Sequence, residues 1–151
     1  MFKRVLLCHD GTEGGRRALR RGAELAMFMH ADVHVLVVLP SGVEDPFLLA
    51  GAAGHACIVE DGASPHRAML DESIEWLKDR GVAASGYLTR GDTIEQISLY
   101  TKRLAIDLIV LGHYPRPSGG FWWSGSSRVS LAEKTRCCVL VAVDVAPAGG
   151  A

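Results

Sequence analysis

The segment 111–127, LGHYPRPSGGFWWSGSS, holds the residues best suited to chemistry in this chain. It leaves an apolar run, Leu108–Leu111, and crosses many Gly, Ser and Pro residues. It reaches Gly125-Ser126-Ser127 just before a helix-like stretch and a further apolar run, Val139–Val143. A strand, a Gly/Ser loop and a helix start, in that order, can make an anion site. Glycines let the backbone come close, and free N–H groups at a helix N-terminus point at negative oxygens. The chemistry expected is phosphate binding, and the candidate ligand is a nucleotide.

Other reactive residue types give weaker signals. Asp10, in the run Cys8-His9-Asp10-Gly11-Thr12, is suited to accept a hydrogen bond from a ribose hydroxyl or to help hold a hydrated Mg²⁺. In D-G-T it serves equally well as a turn or capping residue. His9 and His113 lie beside strand ends, but no carboxylate–serine set accompanies them, so no catalytic residue is assigned. Neither a G-x-S-x-G elbow nor a G-x-x-x-x-G-K-[ST] loop is present. The six histidines show no metal-ligand spacing, and no metal site is expected. The cysteines, Cys8, Cys57, Cys137 and Cys138, form no C-x-x-C pair and read as reduced, mostly buried thiols. Phe121-Trp122-Trp123 is expected to fold back on the last helix. Exposed, it would form an apolar contact patch.

The elements that must position these residues follow from hydrophobic periodicity. Five short apolar runs recur: Val5–Cys8, Val33–Leu39, Val82–Leu88, Leu108–Leu111 and Cys138–Val143. Runs two, four and five are nearly continuous in Val, Leu and Ile, as strands covered on both faces are. Run three is weaker and fits a place nearer an edge. Between the runs, Leu19/Ala23/Ala26, Leu70/Ile74/Leu77 and Ile94/Ile97/Tyr100/Leu104 each mark one apolar helix face. Arg16, Arg17, Arg20 and Arg21 fall outside the first stripe. Thr12, Thr93 and Ser126 or Ser127 are the expected N-caps, and Gly81 the expected C-terminal stop of the second helix. The alternation predicts a single doubly wound α/β sheet of five parallel strands over residues 1–145, with a flexible tail over 146–151. The long connection 40–63 fits a lid or binding loop.

Composition narrows the function classes. The chain has 48% hydrophobic and 22% charged residues, ordinary for one globular domain, and its net charge of −1 gives no reason to propose a nucleic-acid partner. The apolar run at the N-terminus is too short for a signal peptide or a membrane span, which favours the cytoplasm and no membrane partner.

The whole pattern resembles the universal stress protein family. The resemblance rests on residues 5–12 (VLLCHDGT), Ala31-Asp32-Val33, Gly91-Asp92-Thr93-Ile94, residues 107–112 (DLIVLG), and Gly125-Ser126 before Cys138-Val139-Leu140-Val141. It implies a Rossmann-like fold of the adenine nucleotide alpha-hydrolase-like type, with strand order 3-2-1-4-5. It also implies ATP or ADP as ligand, with or without Mg²⁺, and a stress-response role with at most weak ATP hydrolysis. A homodimer through the last strand is implied as well. Adenine would lie near Val38, the ribose at Asp10, and the phosphates among Gly112, Gly125, Ser126 and Ser127, with Cys8 and Leu111 alongside. The nucleotide-binding branch carries G-x2-G-x9-G-[ST]. Here the four positions read Gly112, Pro115, Gly125 and Ser126. The spacing is intact, but Pro115 has no N–H to give a phosphate. A dimeric interaction protein of the same fold that binds no nucleotide is the alternative this departure favours.

Overall fold

Val, Leu and Ile suit the pleated, two-sided burial of a central sheet, and each apolar run of the sequence is a strand. The computed structural model describes residues 1–9, 13–39, 65–113 and 125–143. The strands are β1 (Arg4–His9), β2 (Asp32–Leu39), β3 (Ala84–Arg90), β4 (Leu108–His113) and β5 (Cys138–Val143). They form one parallel sheet in the order β3-β2-β1-β4-β5. The weaker third run is indeed an edge strand, and so is the fifth. Register pairs Cys8 of β1 with Leu36 of β2 and with Leu111 of β4.

Four helices are described: α1 (Glu13–Phe28), α2 (Pro65–Lys78), α3 (Thr93–Arg103) and α4 (Gly125–Thr135). Alternation along the strands separates two cores. On one face Val5, Leu7, Val35 and Val110 pack with Leu19, Ala23, Ala26, Leu70 and Leu77 of α1 and α2. On the other, Leu6, Cys8, Leu36, Val38, Ile109 and Leu111 pack with Ile97 of α3 and Leu131 of α4. Burying each such Leu or Ile side chain is worth about 1.5–3 kcal/mol, so the faces, rather than helix propensity, hold the elements.

Local signals explain the boundaries. Pro65 opens α2, where its missing N–H costs nothing. Gly81, at φ +77°, ends it: its N–H donates to Lys78 O and the Val82 N–H to Leu77 O. Three sequence expectations need correction. The cap of α3 is Asp92, whose Oδ1 accepts the Glu95 N–H at 2.9 Å, and Thr93 is already helical. Ser126 and Ser127 lie within the first turn of α4 and not before it. Cys138 is exposed, whereas Cys8 is buried and Cys137 partly so. Cys57, Thr12 and residues 146–151 lie outside the described residues.

Candidate functional site

In an open parallel sheet the helices before and after a reversal of strand order lie on opposite faces, which leaves a crevice beyond the carboxyl ends. Here β2 flanks β1 on one side and β4 on the other, so the reversal falls between β1 and β4. These strands end at His9 and His113. The helices that follow them in the described residues start at Glu13 and Gly125. Two helix N-termini, each carrying partial positive charge, thus succeed the two strands that border the crevice.

Three of the sequence-predicted site residues meet beneath it. Cys8 and Leu111 are register partners, and Val38 lies two residues beyond Leu36, the other partner of Cys8. All three side chains are fully buried in the core shared with α3 and α4. What they can offer a ligand is main chain, while their side chains form an apolar floor. Burial pushes the Cys8 thiol far above its ordinary range, so it stays protonated and is no nucleophile. His9 is also fully buried.

Gly112 belongs to the opposite face. A Cβ built there would stand 2.5 Å from the carbonyl oxygen of Gly15, in the first turn of α1, and 3.5 Å from Leu19 Cγ. Close helix–sheet packing therefore suffices to require glycine at 112, whatever else passes near its backbone. A Cβ built at Gly22, two turns further along α1, would likewise meet the sheet, here at a Cγ of Val110 and the Cβ of Ala142. The signal was present in the sequence. Gly15, Ala18, Leu19, Gly22, Ala23 and Ala26 form one stripe at i, i+3, i+4, i+7, i+8 and i+11, and all are buried. Arg16, read from sequence as lying off the apolar face, is buried too. Its Nη1 pairs with Glu72 of α2, which holds that carboxyl below its ordinary pKa. The gap bordered by Arg16, Arg20, Trp76 and the sheet measures about 20 Å³. It is large enough for a water and no ligand.

Beside Val38, the carboxyl end of β2 is fixed by Gly91, which belongs to the run Gly91-Asp92-Thr93-Ile94, and by Thr89 and Gln96, which no motif singled out. The Gly91 N–H donates to Leu39 O at 3.0 Å, and Gly91 adopts φ +151°. Thr89 Oγ1 donates to Gln96 Oε1 at 2.9 Å, and the Gln96 side chain lies against Gly91. A glycine followed by a capping Asp after an apolar run is the sequence signal for such a turn.

Asp10, Pro115 and the run Phe121-Trp122-Trp123 lie outside the described residues. Gly125, Ser126 and Ser127 are described only by their place in the first turn of α4. Among the described residues no group of three His, Cys, Asp or Glu side chains gathers as a metal ion would need. Among them, too, no helix is long and apolar enough to cross a membrane.

Comparison with known proteins follows the same lines. The model of the universal stress protein family matches residues 1–143. A protein of that family from Burkholderia pseudomallei is 24% identical and superposes with a TM-score of 0.63, over 92% of this chain and 94% of that one. A universal stress protein from Archaeoglobus fulgidus, in complex with dAMP, is 16% identical with a TM-score of 0.56, over 93% and 97% of the two chains. A family protein from Arabidopsis thaliana with AMP bound is 15% identical with a TM-score of 0.60, over 97% of each chain. At these identities the likeness establishes the fold. No curated protein sequence matches the chain significantly.

Proposed function

Because the chain belongs to the universal stress protein family, we propose that it binds an adenine nucleotide, ATP or ADP, at the crevice between β1 and β4. We propose further that it acts as a cytoplasmic regulatory module of the stress response, with no nucleic-acid partner. The observation that carries this reading is the set Gly112, Gly125 and Ser126. Its spacing matches the nucleotide-binding pattern, and Gly125 opens the helix that follows the strand at the strand-order reversal. The main-chain N–H groups at Gly125, Ser126 and Ser127 would hold phosphate oxygens at the positive end of α4. Asp10 would take the ribose or a hydrated Mg²⁺. The main chain at Val38 would meet the adenine, over the floor of Cys8 and Leu111. Gly112 would act mainly by letting α1 close on β4.

Related structures with AMP and dAMP support the adenosine end of this reading. The phosphate end is where this chain departs from the pattern, since Pro115 offers no donor. We expect monophosphate and triphosphate to be bound with more nearly equal affinity than the full motif would give. Calorimetric titration with ATP and Mg²⁺ tests the reading. Saturable heat in the wild type and none in Gly125→Val supports it, because a side chain at 125 would occupy the phosphate's approach. A silent wild type at millimolar ATP refutes it.

A second reading, a dimeric interaction protein without nucleotide, is favoured by Pro115 and by the outer edge of β5. That edge leaves Leu140 37% and Val143 40% exposed. An apolar uncovered edge invites strand pairing, and two-fold self-pairing of a single strand across the axis is antiparallel. A homodimer through β5 is proposed under both readings.

A further inference from the structure

We propose that the amino end of the sheet holds a second ligand site, which receives a small oxyanion, a phosphate ester or a carboxylate, at the guanidinium groups of Arg4 and Arg103. It lies at the opposite end of the strands from the crevice and does not depend on the nucleotide reading.

A hollow of about 510 Å³ opens there, lined by Arg4, Asp32, His34, Ser85, Arg103 and Leu104. That volume is in the range of small-molecule sites. The hollow exists because the neighbouring wall residues are small: Ala83, Ala84 and Ala105 leave the space that larger side chains would fill.

Its walls are fixed by main-chain hydrogen bonds. The Asp32 N–H donates to Lys3 O at 2.8 Å, which joins the starts of β1 and β2. The Asp107 carboxylate accepts the Lys3 and Arg4 N–H groups at 2.8 and 3.0 Å, and the Asp107 N–H donates to Arg4 O at 3.1 Å. On the far side α3 ends in a closed turn. Ala105 sits at φ +51°, its N–H donates to Lys102 O, and the Ile106 N–H donates to Thr101 O. The Tyr100, Thr101 and Lys102 carbonyls of α3 thus accept hydrogen bonds within the turn that closes the helix.

Charge is unbalanced in the direction an anion needs. Two arginines and one aspartate line the hollow. Among the described residues neither guanidinium has a carboxylate partner, and the Asp107 carboxylate is engaged by main-chain amides. A guanidinium fork matches a carboxylate or phosphate edge with two parallel hydrogen bonds. Ser85 adds a hydroxyl donor. His34 supplies a reporter within the site. Its Nδ1 stands 3.4 Å from Tyr87 Oη. Partial burial lowers its pKa below the ordinary value; the charge of Asp32 opposes this, and Arg4, a smaller effect, adds to it. An oxyanion seated on Arg4 would offset the effect of that arginine and raise it.

The test is nuclear magnetic resonance of the full, isotope-labelled chain, titrated with inorganic phosphate and separately with succinate. Ionic strength is held constant with sodium chloride. Saturable shifts at the Ser85 and Ala105 amides and the His34 imidazole are expected, with a dissociation constant on the order of 1 mM. The His34 pKa should rise on saturation. Arg4→Gln and Arg103→Gln, both at exposed side chains, should each weaken binding by about tenfold. Saturation by phosphate alone assigns the site to phosphate esters, and by succinate alone to carboxylates. Phosphate that enters the crevice moves Gly112 and residues 125–128 instead, so the two sites are read separately. Shifts that fail to saturate, that sodium chloride reproduces, or that persist in the double Arg4→Gln/Arg103→Gln variant overturn the proposal.

Discussion

Gly112→Ala separates the two roles that glycine 112 has been given. The new Cβ would lie 2.5 Å from the Gly15 carbonyl oxygen, well inside any tolerated contact. That oxygen is helix backbone and cannot turn aside as a side chain would. Lifting α1 would open the close packing of Gly22 on Val110 and Ala142, two turns further along the same stripe. Forcing an extra methyl into filled space costs about 1–3 kcal/mol. The loss of unfolded-state freedom on replacing glycine returns about 0.4–1 kcal/mol. With an unyielding neighbour the balance should be near 2 kcal/mol of lost stability. In a chain of this size that lowers Tm by about 4–8 °C. The assay is urea unfolding followed by far-ultraviolet circular dichroism, with an unchanged m-value as the check on two-state behaviour. Gly86→Ala is the comparison. Its Cβ would meet the side chains of Leu70 and Ile74 at 3.1 Å, which can shift, so its loss should be smaller. A Gly112→Ala protein as stable as the wild type would refute the packing argument. A loss of ATP affinity without loss of stability would return Gly112 to a role at the phosphates.

Pro115→Gly should tighten ATP more than adenosine, by about 1–3 kcal/mol for a regained charge-assisted hydrogen bond; equal effects on both ligands by calorimetry would show that the proline does not act at the phosphates. Light scattering at tens of micromolar should give a dimer, and Leu140→Pro or Val141→Pro should give monomer or aggregate, because proline removes a ladder donor; a monomeric wild type contradicts pairing through β5. Asp92→Ala should cost about 1 kcal/mol in urea unfolding through loss of the α3 cap, whereas Thr93→Ala should cost less. His34 is held below its ordinary pKa of 6.5, so the unfolded chain binds more protons there; stability should fall as pH drops through and below that value, and His34→Gln should flatten the dependence of Tm on pH between 7 and 5.5.

The fold was legible because its signals are periodic and redundant. Val33–Leu39 and Leu108–Leu111 read as two-sided strands, and Leu19/Ala23/Ala26 or Ile97/Leu104 as helix faces turned to a sheet. Gly81 announced its own left-handed turn. Sequence alone does not place the cap of α3, since Asp92 and Thr93 are both good caps and only the backbone decides for Asp92. The burial of Arg16 does not show in the periodicity of α1, because the carboxylate of Glu72 that pairs with it comes from another helix. The candidate site is written in the sequence only as strand ends and a glycine spacing. The reason for Gly112 is not written there, because the oxygen it makes room for lies nearly a hundred residues away in sequence, at Gly15. The same holds for the hollow at Arg4 and Arg103, residues that only the order of the strands brings to one end of the sheet.

Binding of an adenine nucleotide in the crevice between β1 and β4 would be read residue by residue in a resonance-resolved titration of the labelled protein with ATP. Saturable shifts are expected at Leu39, Gly112, His113 and the first-turn amides of α4, residues 125–128, with Ser85 and Ala105 at the other end of the sheet moving little. An unchanged spectrum at millimolar ATP, or saturable shifts confined to residues away from those carboxyl ends, would contradict it.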